Sequence, residues 1–151
     1  MLLAPKVLAQ GLTIPATSGE ITIAQSWKLF SGNLDEEVKD WGIKAKGSPT
    51  EEMSFQVVAS DNHFDFVKQF GVPDDYEVTP HQIVTFCELH AGALRRDGFG
   101  TFFIFKDKGS WRVARVRIMF GLMYVLVYYL YNPMQNPFTE ATDTIWLVKP
   151  E

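Results

Sequence analysis

Cysteine is almost missing from this chain: Cys87 is the only one in 151 residues. No intrachain disulfide can form, so a disulfide-stapled scaffold is excluded, and a reducing compartment such as the cytoplasm is the expectation. Histidine is scarce as well, with only His63, His81 and His90. Together with Cys87 these residues show neither Cys-x-x-Cys nor His-Glu-x-x-His spacing, and a zinc site needs three or four ligands. No metal and no cofactor is therefore expected. A glycine-rich phosphate loop is also lacking. Gly92 falls inside a helical pattern, while Gly98 and Gly100 lead into a strand rather than a helix. No apolar run approaches the roughly 20 residues of a membrane-spanning helix. The longest, residues 118–131, contains Tyr124, Tyr128, Tyr129 and Tyr131 and β-branched Val125 and Val127, so it reads as a buried strand. The N-terminus has no basic region, and Pro5 and Lys6 interrupt its short apolar stretch, so it is not read as a signal peptide. There is no basic excess either. The net charge of −4 argues against bulk attraction to nucleic acid or to a membrane surface.

Apolar material is plentiful. Hydrophobic residues make up 46% and aromatics 14%, enough for a substantial core and against disorder. No repeat, low-complexity tract or long linker divides the chain, so residues 1–151 are expected to form one domain. Charge is unevenly spread. Residues 1–78 carry six lysines and twelve acids, whereas residues 79–151 carry eight basic and six acidic residues. All five arginines lie between Arg95 and Arg117.

The pattern predicts an α+β fold: short N-terminal helices and strands, a capped helix at about 80–96, then a C-terminal antiparallel meander of about four strands. The helix has the strongest local signals. Thr79 and Gln82 form a capping box, Pro80 takes the first helical position, Val78 and Ile83 suit a hydrophobic staple, and Arg95 and Arg96 favour the C-terminal end. Its apolar arc includes Ile83, Val84, Phe86, Cys87, His90 and Leu94. The meander strands are read at 100–106, 111–119, 122–131 and 144–149. The first two are joined by Asp107-Lys108-Gly109 as a three-residue loop that sets Phe105 opposite Trp111. Earlier, residues 34–41 and 62–70 read as short helices and 53–58 as a strand. Residues 44–52, 71–79 and 132–143 read as loops. Residues 20–30 fit both periods, and their first half is taken as strand.

Four sets of residues could carry function. Cys87 and His90, three apart on one helix face, could act as nucleophile and base. Their apolar surroundings instead favour a packed thiol beside a hydrogen-bonded core histidine. Trp111, Arg112, Arg115 and Arg117 could stack a base or hold a phosphate, against the alternative of a solvated face paired with Asp97, Asp107 or Glu140. His90, Phe103, Tyr124 and Tyr128 could line a pocket between helix and sheet. Met119, Phe120 and Leu122 form an apolar hairpin tip where Asn-Gly or Asp-Gly would be usual, which suggests cover by a second subunit or by Leu2, Leu3, Val7 and Leu8. No catalytic constellation stands out. The expectation is a non-enzymatic binding or assembly domain, a homo-oligomer or one with a protein partner. A small-ligand-binding domain or enzyme comes second and nucleic-acid binding through the arginines third.

Overall fold

The computed structural model describes residues 6–33, 43–60, 67, 71–130 and 144–149. Its regular elements are β1 (Lys6–Ile14), β2 (Met53–Ser60), α1 (Pro80–Leu89), β3 (Thr101–Asp107), β4 (Ser110–Met119), β5 (Leu122–Tyr129) and β6 (Thr144–Val148). Short 3-10 turns cover Ala24–Ser26, Ser31–Asn33, Asp74–Tyr76 and Ala91–Ala93. The strands form one six-stranded sheet in the order β1-β2-β6-β3-β4-β5. Every pairing is antiparallel except β6 with β3, which meet in parallel at Trp146 and Phe102. The class is mixed α+β, with a larger sheet than the four-stranded meander.

Both sheet faces are covered. On one, α1 sends Ile83, Val84, Phe86 and Cys87 onto Phe55, Phe103, Phe105, Ala114, Val116 and Val127. Phe86 meets Phe55 and Phe103 edge-on, at centroid distances of 6.5 and 5.9 Å. On the far face Trp146, wholly buried, packs between Tyr76 and Phe102, with Val58, Val67, Ile104, Val113 and Leu130 around it. This double burial explains the Ile145-Trp146-Leu147-Val148 run: a strand inside a covered sheet has no solvent side and needs no alternation. It also corrects the expected place of β6. The strand does not extend the meander beside β5 but inserts between β2 and β3.

The cap of α1 is as expected. The Thr79 hydroxyl accepts from the Gln82 N–H at 3.1 Å, and the Gln82 side chain accepts from the Thr79 N–H at 3.0 Å. The far end is not. The helix stops at Leu89 rather than 96, because His90 leaves the helical region (φ −125, ψ 36) and a 3-10 turn follows. His90 Nε2 lies 2.8 Å from the Thr13 carbonyl of β1, and Gly92, a weak helix former, sits just beyond. The first half of residues 20–30, expected as strand, forms no strand: residues 20–23 lead directly into the Ala24–Ser26 turn. β1 was not expected at all. Val67, the described residue of the expected 62–70 helix, is helical and buried. The readings at 34–41 and 132–143 lie outside the described residues.

Candidate interaction site

Two hairpins with the same turn chemistry shape the C-terminal half of the sheet. Lys108 (φ 50) and Gly109 (φ 82) join β3 to β4, and Phe120 (φ 55) and Gly121 (φ 74) join β4 to β5. Two consecutive left-handed residues are what a two-residue type I′ turn requires. The first turn is thus one residue shorter than expected. Phe105 faces Arg112 rather than Trp111, and Lys106 faces Trp111. The β4–β5 register runs without a slip from Arg112↔Tyr129 to Met119↔Leu122, so the second turn projects from a continuous ladder.

At its tip Phe120 is 93% exposed. Two unfavourable terms coincide there. A left-handed backbone costs a residue other than glycine about 1–2 kcal/mol, and an exposed Phe forgoes about 1.5–3 kcal/mol of burial. Asn at this place would reduce the first and remove the second. Leu122, next to the tip, is 42% exposed, and the Met119 sulfur lies 3.2 Å from Arg117 Nη2. The expected N-terminal cover fails for Val7 and Leu8. They lie on β1, at the opposite edge of the sheet from β5, and are themselves 47% exposed. Leu2 and Leu3 are outside the described residues.

The arginines do not share a face. Arg112 pairs with Phe105 and Tyr129 on the helix side, its guanidinium 3.6 Å from the Tyr129 ring centroid and 3.5 Å from the Asp107 carboxylate. Trp111 packs against the far-face cluster, and the alternation along β4 sets Arg115 and Arg117 on that side too. Neither reading made from the sequence, solvated face or open phosphate site, describes Arg115, which is only 8% exposed. Its Nε donates to the Phe99 carbonyl at 2.7 Å, and Arg117 Nε donates to the Gly98 carbonyl at 2.8 Å. Gly100 allows this approach, since a Cβ there would come within 2.8 Å of the Arg115 stem. Nearby, Arg95 Nε donates to both Asp97 carboxylate oxygens, at 2.7 and 2.6 Å. The arginine-rich stretch thus clasps the 95–100 loop to β4. Of the acids suggested as partners, Asp97 and Asp107 do pair, with Arg95 and Arg112, while Glu140 is outside the described residues.

Cys87 is wholly buried, and burial, with a smaller push from Glu88, moves its thiol far above the ordinary range. His90 turns its Nε2 to Thr13. The pocket set is not brought together. Phe103 pairs with Ala114 on the helix side, whereas Tyr128 pairs with Val113 and Tyr124 with Arg117 on the far side. Among the described residues, no group of three or more His, Cys, Asp or Glu is placed to hold a metal ion, and no helix is long and apolar enough to cross a membrane. The chain matches no protein-family model, no curated protein and no solved structure.

Sequence reasoning also missed where His81 goes. Its Nδ1 accepts from the Gly19 N–H, across sixty-two positions of sequence. A histidine two residues past an N-cap gives no local sign of such a partner.

Proposed function

We propose that this chain is a non-enzymatic binding or assembly domain that associates with a second copy of itself through the β4–β5 tip, with Phe120 as the anchor and Met119 and Leu122 beside it. One observation carries the reading: Phe120 is held at φ 55 and left 93% exposed. Strain and exposed apolar area at one residue of a rigid hairpin are what a contact site would retain and a mere turn would lose. An aromatic ring on a pre-ordered ladder makes an efficient anchor, because little conformational freedom remains to be lost on binding. A ligand pocket or active site is less well supported, since its four residues divide between two faces. Nucleic-acid binding is weakened because Arg115 and Arg117 already donate to backbone carbonyls.

The test is Phe120→Asn, which creates Asn-Gly, the preferred type I′ pair. Wild-type protein should show a concentration-dependent mass above that of the protomer in light scattering. The variant should stay at protomer mass and be no less stable in thermal melts, with a gain of up to about 1 kcal/mol from relieved strain. A wild-type chain that remains a monomer at high concentration would end the self-association reading.

A further inference from the structure

Three stretches distant in sequence meet at the start of α1. Beyond β1 and before β2, Thr17 and Thr50 exchange backbone hydrogen bonds, both 2.9 Å, and their hydroxyl oxygens lie 2.6 Å apart. Further along, the Gly47 N–H donates to the Gly19 carbonyl at 3.0 Å, and Lys46 Nζ lies 3.4 Å from the Glu20 carboxylate. Gly19 has φ +81, and a Cβ there would collide with the Gly47 carbonyl oxygen. Gly47 in turn presses on the helix cap, where a Cβ would lie 2.7 Å from Thr79 Cβ. His81 closes the group, its Nδ1 accepting from the Gly19 N–H at 3.1 Å.

An imidazole nitrogen accepts a hydrogen bond only while it carries no proton. The neutral ring protonated on Nε2 therefore holds Gly19, and the imidazolium cannot. Gly19 is buried, so a lost acceptor is not readily replaced by water. We propose that His81 is an acid-sensitive latch on the segment that begins at Thr17, whose protonation loosens the strap of residues crossing the sheet. That strap carries Ile23 and Phe30 into the core and lays Gly32 against the Tyr124 ring of β5. Among the described residues the charged group that acts on the ring is Glu88 on α1. On the two loops, Glu20 follows Gly19, its partner Lys46 precedes Gly47, and Glu51 follows Thr50. The Glu88 carboxylate favours the imidazolium.

Desolvation lowers the His81 pKa from its ordinary 6.5, with Glu88 pulling the other way. The sign follows from linkage. The unfolded or unlatched ring binds the proton more readily, so the latch contributes fully above pH 6.5 and is lost as pH falls through the lowered value. The device does not depend on what the Phe120 tip binds.

Native-state amide exchange at Gly19, corrected for intrinsic rates, tests the latch in wild type and in His81→Asn. The Asn carbonyl oxygen can stand in for Nδ1 and accepts at every pH. As the pH is lowered from about 7.5 through the depressed His81 range, wild-type protection at Gly19 should fall by up to about fivefold, the worth of one hydrogen bond, while the variant stays flat. A wild type with pH-independent protection, or an equal fall in both proteins, overturns the proposal. Imidazole nitrogen shifts of wild type add a readout that needs no variant. His81 should be the Nε2–H tautomer at neutral pH, and an Nδ1–H tautomer would refute the latch.

Discussion

Cys87 and His90 show how a suggestive spacing dissolves at the residue scale. Three positions on a helix make neighbours on any sequence, and chemistry depends on surroundings. Cys87 lies wholly inside the apolar layer beneath α1, where burial disfavours the thiolate that a nucleophile requires. His90 sits at the helix end and reaches β1 through Thr13. The thiol should therefore be inert: a thiol reagent at neutral pH should leave native protein unmodified for as long as it stays folded and react promptly after denaturation. Rapid modification of the native protein would revive the catalytic reading. His81, by contrast, gains its role from a distant partner, the Gly19 N–H.

At the scale of elements, the 95–100 loop and β4 act as one unit. Gly98 (φ +90) and Gly100 (φ +96) bend the chain so that the carbonyls of residues 98 and 99 face Arg117 and Arg115. A hydrogen bond from a charged donor contributes about 1.5–3 kcal/mol, and a buried arginine stem adds packing of its own. Arg115→Ala should destabilise the fold by about 1–3 kcal/mol in urea titration, and Arg117→Ala by less, since Arg117 is only half-buried. Solvated arginines would have shown almost no effect. A change below about 0.5 kcal/mol for Arg115→Ala would remove the clasp and reopen that face to a ligand.

For the whole molecule, the decisive feature is β6. Its two neighbours are β2, on one side, and β3, with which it runs parallel. A C-terminal strand at the middle of the sheet joins the β1–β2 and β3–β4–β5 groups, so the sheet completes only when that late segment docks. Such long-range pairing slows folding and makes the sheet cooperative. Trp146 is the residue both groups share, touching Tyr76 and Phe102 and facing Val58. Trp146→Ala should cost about 3–5 kcal/mol, a large share of a typical domain's stability. Trp27→Ala, at an exposed ring, should change the urea midpoint little. Equal effects of the two substitutions would contradict the central place of β6.

What could be read from the sequence was what neighbouring residues decide among themselves. The capping box at Thr79 and Gln82 needs only three residues of separation, and the placing of Ala114, Val116 and Ile118 on one side of β4 follows from the pleat, although both sides are buried. The apolar oddity at Phe120 was visible for the same reason, since a turn is judged by its own residues. The end of α1, the insertion of β6 and the strand at β1 were not visible. β1 contains Gly11 at φ +69 and two register shifts against β2, which break the alternation a strand is recognised by. The burial of Arg112 and Arg115 and the hydrogen bond from Gly19 to His81 depend on partners that only the folded chain brings within reach. Local spacing carries no information about them, because their geometry is set by strand order and loop approach rather than by sequence distance.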